Sequence, residues 1–135
     1  MNPRTILFVD DDEDDRHLLK EHLIHYSGEV LHVVEVGNGV EAMKYLKEAK
    51  SDGMPCLIIL DLNMPVMDGR KTFEKIRVDD KLKNIPLIIY TSGFNPADRE
   101  FFNKHGVRYQ VKPMSLEQIR SVARDFVGAC NDDDN

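Results

Sequence analysis

Three short segments of the chain are apolar at consecutive positions, and this feature constrains the fold more than any other. The segments span residues 6–9, 56–60 and 86–90. A strand that is buried on both faces has this pattern, whereas a strand with one solvated face alternates apolar and polar residues. Two weaker strand candidates, residues 31–36 and 107–111, bring the set to five. The pattern therefore predicts a parallel sheet that is covered by helices on both faces.

Segments with helical spacing separate these runs. The clearest lies near the C-terminus, where apolar residues recur at helical intervals: Leu116, Ile119, Val122, Ala123, Phe126 and Val127. Ser115 is placed to cap this helix, and Gln118 fits the capping box three residues later. Weaker helical patterns follow each of the first four strands. Strand and helix thus alternate five times, which predicts a doubly wound α/β fold with right-handed crossovers.

Length and charge limit the classes of function. A chain of 135 residues suits one domain. It carries 18 Lys and Arg against 24 Asp and Glu, for a formal net charge of −6. This acidic balance argues against general nucleic-acid binding, which depends on neutralising phosphates with basic side chains. No apolar run approaches the ~18 residues of a transmembrane helix, so we expect no membrane association.

The two cysteines, Cys56 and Cys130, form neither a CxxC motif nor a zinc-ligand pattern. The simplest interpretation is that both thiols are reduced, as is usual in the cytoplasm. We therefore expect a cytoplasmic protein.

Polar side chains follow four of the predicted strands. Asp10 and Asp11 come after the first strand, Asp61 after the third, Thr91 after the fourth and Lys112 after the fifth. Because the carboxyl ends of parallel strands lie at one edge of the sheet, these side chains share that edge. In a sheet of order 2-1-3-4-5 the ligand crevice lies between strands one and three, which end in the aspartates.

Carboxylates that crowd one crevice repel each other, by about 4 kcal/mol per pair at ~4 Å and an effective dielectric constant of ~20. A bound Mg²⁺ and the Lys112 ammonium would offset this repulsion, and Mg²⁺ usually binds one or two carboxylates beside a phosphate. Asp61 stands alone opposite the acidic pair and is the candidate nucleophile toward phosphorus. Asp11, supported by Asp10, would hold the metal, and Thr91 would donate a hydrogen bond to a phosphoryl oxygen.

Taken together, these residues resemble the receiver domain of response regulators. The matching stretches are residues 6–12, 60–69, 90–93 and 111–113, in the order and spacing of that family. The resemblance covers roughly residues 4–128 and implies a five-stranded, flavodoxin-like (βα)5 fold of strand order 2-1-3-4-5. It also implies Mg²⁺ as cofactor and a partner phosphohistidine as the source of the phosphoryl group.

The resemblance assigns the metal ligands and the phosphoacceptor. Asp61 matches the phosphoacceptor of the family, and Asp10 and Asp11 match its acidic pair. Asn63 would add its backbone carbonyl to the metal ligands, beside Asp61.

The resemblance also assigns a conformational switch. Thr91 matches the switch hydroxyl, Tyr109 the aromatic switch position and Lys112 the lysine that pairs with the phosphoryl group. The family has a cis bond at this Lys-Pro step, so we expect the bond between Lys112 and Pro113 to be cis.

The domain organisation implied is a receiver over residues 4–128 and an acidic tail over residues 129–135, with no output domain. Such a chain resembles stand-alone receivers, which are phosphorylation switches rather than turnover enzymes. The implied partners are a histidine kinase or histidine phosphotransfer protein and an unidentified downstream protein, with neither nucleic acid nor membrane. Whether the surface of the fourth helix, fifth strand and fifth helix also forms a homodimer stays open.

Three other interpretations share parts of the pattern. A phosphatase of the dehalogenase type would use Asp10 and Asp12 after the first strand, but it generally needs a longer chain. A flavodoxin-like cofactor binder would present Ser, Thr and Gly in the first loop, which is Asp-rich here. A calcium loop over residues 10–21 would need Gly at position 15, which is Asp15.

Two further features are interpreted as structural. The five histidines show no metal-ligand spacing and are assigned to the surface or to packing. Asp68 and Gly69 are assigned to a tight turn before the third helix, where glycine suits the bend.

Overall fold

Five strands alternate with five helices along the chain in a computed structural model that describes residues 4–28, 31–50, 53–64 and 66–131. The strands are β1 (Arg4–Val9), β2 (Leu31–Val36), β3 (Leu57–Leu60), β4 (Leu87–Thr91) and β5 (Arg108–Val111). The helices are α1 (Glu13–Ser27), α2 (Gly39–Glu48), α3 (Gly69–Arg77), α4 (Pro96–Lys104) and α5 (Leu116–Asn131). The predicted alternation is confirmed.

The strands form one parallel sheet of order β2-β1-β3-β4-β5, which is the predicted order. Register aligns the carboxyl ends of the strands: Val9 pairs with Leu60, and Thr91 pairs with Val111. Every residue of β3 and β4 is buried, as the continuous apolar runs predict. β2 and β5 are the edge strands and are partly exposed, which explains their weaker apolar pattern.

The sheet separates two hydrophobic cores, and β1 supplies both. Ile6 and Phe8 belong to the core that also contains the buried residues of α1 and α5. Leu7 and Val9 belong to the core on the opposite face, with residues of α2, α3 and α4. Successive side chains of a strand point to opposite faces, so an apolar run without alternation is what two cores require.

Short polar side chains cap the helices. Asp12, Asn38, Asp68 and Asn95 each accept a hydrogen bond from a backbone N–H in the first turn of α1, α2, α3 and α4. Ser115 likewise accepts from the backbone N–H of Gln118 at α5, which confirms the predicted cap. In a capping box the Gln118 side chain would accept from the backbone N–H of Ser115. Here it accepts from the backbone N–H of Met114 instead.

The cysteines depart from the sequence-based expectation. Cys56, just before β3, and Cys130, near the end of α5, form a disulfide with their Cα atoms 5.0 Å apart. The expectation of two reduced thiols rested on the absence of local cysteine motifs, and these residues lie 74 positions apart in the chain. The packing of α5 across the sheet brings them together.

None of the helices in the described part of the chain is long and apolar enough to cross a membrane.

Candidate functional site

Three aspartates meet at the carboxyl edge of the sheet. Asp10 and Asp61 directly follow β1 and β3, and their backbone N–H groups continue the sheet by donating to Val36 O and Val9 O, at 3.0 and 2.9 Å. Carboxylate oxygens of Asp10, Asp11 and Asp61 all lie within 4.8 Å of one another. Asp10 and Asp61 are buried, whereas Asp11 is exposed. Two of the three acids therefore sit at the base of the site, and the third forms its rim.

The Lys112 ammonium lies among these carboxylates. Its Nζ is 2.7 Å from Asp10 Oδ2 and 3.8 Å from Asp61 Oδ2. β5 positions it, because the Lys112 N–H donates to Thr91 O at 2.8 Å and so continues the pairing of β5 with β4. Burial favours the neutral amine, but the close contacts with the Asp10 and Asp15 carboxylates outweigh that effect and raise the pKa of Lys112. The lysine is therefore a permanent cation in the site.

Burial raises the pKa values of both buried aspartates, Asp10 and Asp61, because it favours their neutral forms. Removal from water raises the pKa of Asp10 to about 6, against the lowering effects of Lys112 and of the Asp12 backbone N–H. Burial also raises the pKa of Asp61, although the charge of Lys112 and a hydrogen bond from Thr91 lower it. A single ammonium thus leaves the negative charge of the site incompletely compensated.

The donor set suits a hard divalent cation. Asp10 Oδ1 accepts a hydrogen bond from the backbone N–H of Asp12 at 2.9 Å. Asp10 Oδ2 is buried with no hydrogen-bond partner within the described ranges, and its close contact is the ion pair with Lys112. Carboxylate oxygens are ligands that Mg²⁺, Ca²⁺ and Mn²⁺ accept readily. The cluster of Asp10, Asp11 and Asp61 could therefore hold a metal ion.

Thr91 and Asn63 flank the Asp61 carboxylate. Thr91 ends β4 with 1% of its surface exposed, and its hydroxyl forms a hydrogen bond with Asp61 that lowers the pKa of that acid. The Asn63 backbone N–H donates to Asp61 Oδ1, and its side-chain amide donates to Thr91 Oγ1, both at 3.4 Å. These contacts help to hold the carboxylate, whose Oδ1 accepts from Asn63 and whose Oδ2 faces Lys112.

Tyr109 lies in β5, which β4 separates from β3 and Asp61, and its side chain is partly buried. Its ring meets Phe94 edge to face, with ring centroids 6.4 Å apart, and lies 6.5 Å from the ring of Phe102. It therefore belongs to an aromatic group formed by β5, α4 and the loop before α4, rather than to the acidic crevice.

One expectation about this edge is wrong. The peptide bond between Lys112 and Pro113 is not cis, and the trans form is the more stable isomer of most X-Pro bonds. The calcium-loop interpretation is also excluded, because the residues that would form its later part lie in α1.

One acidic residue of the site was missed. Asp15 Oδ2 accepts a hydrogen bond from Lys112 Nζ at 2.9 Å, although Asp15 lies outside the strand ends on which the predictions were based. The signal was its position in the first turn of α1, three residues after the Asp12 cap. That turn begins at the carboxyl end of β1 and therefore faces the same edge.

Comparisons with known proteins agree with this geometry. The profile of the response regulator receiver domain matches residues 6–124. Chemotaxis protein CheY1 of Helicobacter pylori strain J99 is 34% identical over 124 residues, which cover 91% of this chain and 96% of that protein. The polar-differentiation response regulator DivK of Brucella anthropi is 28% identical over 127 residues, covering 93% of this chain and 98% of DivK. The sensor histidine kinase CheAY of Helicobacter pylori is 32% identical over 120 residues, but these span only 14% of that kinase.

Solved structures give the same result. The crystal structure of the phosphorylated cyanobacterial phytochrome response regulator RcpA matches with a TM-score of 0.82 and 32% identity, covering 92% of this chain and 91% of that chain. The Mn²⁺-bound form of response regulator Rcp1 matches with a TM-score of 0.80 and 28% identity, over the same shares of the two chains. With the family profile matched over most of its length, the chain belongs to the response regulator receiver domain family of two-component signalling.

Proposed function

We propose that this receiver accepts a phosphoryl group on Asp61 and relays its phosphorylation state to a partner protein. The observation that carries the proposal is the position of the Asp61 carboxylate, which is buried beside two further acids and a lysine. Thr91 and Asn63 hold the carboxylate in place. A fixed, largely desolvated carboxylate is a competent nucleophile toward phosphorus.

The transfer joins an Asp61 carboxylate oxygen to phosphorus while the bond between phosphorus and the donor's imidazole nitrogen breaks. The electron pair of that bond stays on the imidazole, and Lys112 neutralises one oxygen of the transferred group. Later attack of water on the acyl phosphate returns the free carboxylate and inorganic phosphate. Each Asp61 thus holds one phosphoryl group at a time, and in this proposal the phosphorylated form is the signal rather than a turnover intermediate.

Mg²⁺ is the cofactor we assign to this site. Asp10, Asp11 and Asp61 would hold it, with the Asn63 backbone carbonyl as a further ligand. When bound, the ion neutralises phosphoryl oxygens and so stabilises the charge that develops during transfer. The Mn²⁺-bound form of Rcp1 supports a divalent cation in this class of site.

The phosphorylated state would be read through Thr91 and Tyr109. A phosphoryl group on Asp61 offers the Thr91 hydroxyl a stronger acceptor than the carboxylate does. Movement of Thr91 at the end of β4 would free space for Tyr109, which packs with Phe94 and Phe102. This would change the surface of α4, β5 and α5, where a downstream protein or a second copy of the chain would bind.

The phosphoryl donor would be a histidine kinase or a histidine phosphotransfer protein. The similarity to part of the sensor histidine kinase CheAY supports a place in such a phosphotransfer system. The similarity to CheY1 and DivK over most of their lengths supports a receiver domain over residues 4–128. We assign it to the cytoplasm from its membership of the receiver family alone, because the disulfide between Cys56 and Cys130 removes the argument from reduced thiols.

The test is incubation with acetyl phosphate and Mg²⁺, followed by intact-mass measurement. We expect the wild-type protein to gain one phosphoryl group, and the Asp61→Asn variant to gain none. Asp68→Asn is the matched control, because Asp68 is an exposed acid that caps α3 outside the acidic cluster. Labelling of Asp61→Asn at the wild-type rate would refute the assignment, and repeated turnover of a phosphomonoester would favour a phosphatase instead.

A further inference from the structure

The Lys112 ammonium is shared unequally among three carboxylates. It lies 2.7 Å from Asp10 Oδ2, 2.9 Å from Asp15 Oδ2 and 3.8 Å from Asp61 Oδ2. The contact with Asp10 is a close ion pair and the contact with Asp15 is a charge-assisted hydrogen bond, whereas the distance to Asp61 is too long for a hydrogen bond. The lysine thus lies closer to Asp10 and Asp15 than to Asp61, the residue we assign as the phosphoacceptor.

Asp15 is held in this position by its helix. It lies in the first turn of α1, where its backbone N–H donates to the Asp12 cap at 3.1 Å. Its side chain is 38% exposed, whereas that of Asp10 is fully buried and that of Lys112 is 11% exposed. Water can solvate Asp15 when the lysine leaves, but it cannot solvate Asp10 in the same way. The bond to Asp15 is therefore the one that Lys112 can give up at lower cost.

From this geometry we infer that Asp15 is a positioning residue that holds the Lys112 ammonium away from Asp61 and thereby slows phosphorylation. The inference rests on the proposed function, since it concerns the phosphoryl group that Asp61 would accept. That group needs Lys112 to neutralise one of its oxygens, so it competes with Asp15 for the same ammonium. Asp15 acts through Lys112 and contacts neither the metal ligands nor Asp61 among the recorded contacts of the described residues.

The charge of Asp15 alone could have a similar effect, because any acid near the site repels an anionic donor. Asp14 provides the control for this alternative. It is an exposed acid of the same helical turn, and no ion pair with Lys112 is found for it within the described ranges. Asp14→Asn removes the same charge as Asp15→Asn without freeing the lysine.

The experiment measures the rate of phosphorylation by acetyl phosphate with excess Mg²⁺, by intact mass against time. We expect Asp15→Asn to react at least threefold faster than wild type and Asp14→Asn to stay within about 1.5-fold of it, because only the first removes a carboxylate that holds Lys112. Asp15→Glu restores the carboxylate and should return the rate to within about 1.5-fold of wild type. A purely structural role of Asp15 would not produce acceleration followed by rescue.

The inference is wrong if Asp15→Asn is no faster than Asp14→Asn, or if Asp15→Glu is as fast as Asp15→Asn. These outcomes leave the proposed function intact as long as the wild-type protein is labelled and Asp61→Asn is not. Failure of the wild-type protein to accept any phosphoryl group would instead refute the proposed function, and the inference with it.

Discussion

A Cβ atom on Gly69 would lie 2.0 Å from the carbonyl oxygen of Asp61. Gly69, the first residue of α3, thus packs directly against the backbone of Asp61, the residue that follows β3. The Gly69 N–H also donates to Leu62 O at 3.1 Å, which ties the helix start to the loop that follows Asp61. Absence of a side chain at Gly69 is therefore a condition for the position of Asp61 itself.

The substitution Gly69→Ala tests this close approach. The added methyl group meets backbone atoms, which cannot move aside as the end of a flexible side chain can. We expect the free energy of unfolding to fall by about 1–3 kcal/mol, as is typical of overpacking. Urea denaturation measures this loss, and labelling by acetyl phosphate should also become slower because Asp61 is displaced.

Gly128→Ala is the matched control. Gly128 lies inside α5, and a Cβ there would meet nothing within 4 Å among the described residues. Alanine in a helix interior is favoured over glycine by about 1 kcal/mol, so this variant should be as stable as wild type or more stable. Equal stability of Gly69→Ala and wild type would contradict the close packing of Gly69 on Asp61.

From the raised pKa of Asp10 we predict how the stability of the metal-free protein depends on pH. Its pKa is about 6 in the folded protein and near 3.9 in an unfolded chain. The folded state therefore binds this proton more tightly, and the contribution of Asp10 to stability falls as the pH rises from about 4 to about 6. The difference corresponds to about 3 kcal/mol.

Asp10→Asn isolates this contribution from the other acids. We expect the metal-free variant to be more stable than wild type at about pH 7, by up to about 3 kcal/mol, and to lose that advantage near pH 4. Its amide can still accept the backbone hydrogen bond from Asp12. Urea unfolding at both pH values is the measurement. A constant difference between the two proteins across this range would refute the role of Asp10 ionisation.

Some residues of the site could be predicted from strand topology alone, whereas others depend on how side chains and helices pack. The aspartates, Thr91 and Lys112 could be placed at one edge because strand topology alone brings them there. The preference of Lys112 for Asp15 over Asp61 could not be predicted, since it depends on differences of about 1 Å that side-chain packing sets. The pairing of Cys56 with Cys130 likewise requires knowing where α5 crosses the sheet.

For Gly69, the sequence indicated a structural role, but the reason differs from the one found in the structure. The sequence predicted a turn at residues 68–69, for which the backbone freedom of glycine would be sufficient. In the structure Asp68 is the cap of α3, and Gly69 is required because backbone atoms approach it closely. A close backbone contact of this kind depends on how the chain packs, and it leaves no local pattern in the sequence.

Thr91 offers a prediction about Asp61 that does not need phosphorylation. The hydrogen bond from the Thr91 hydroxyl favours the charged form of Asp61 and lowers its pKa. Thr91→Val removes this hydroxyl, so the pKa of Asp61 should rise further. Titration of the Asp61 carboxyl carbon by NMR measures the change, and Thr91→Ser, which keeps the hydroxyl, should stay near wild type. An Asp61 pKa that is unchanged in Thr91→Val would exclude the hydrogen bond as a determinant of its acidity.

From the disulfide we predict that a reductant lowers the stability of the protein but leaves the rate of its phosphorylation unchanged. The bond between Cys56 and Cys130 closes a loop with a sequence separation of 74, and the chain-entropy estimate for such a loop is about 4 kcal/mol. Dithiothreitol should therefore lower the melting temperature of the wild-type protein but not that of a variant with both cysteines changed to serine. Cys56 precedes β3 while Asp61 follows it, so the rate of labelling by acetyl phosphate should be the same with and without reductant. Two thiols that react with maleimide in unfolded, unreduced protein would show that the bond is absent.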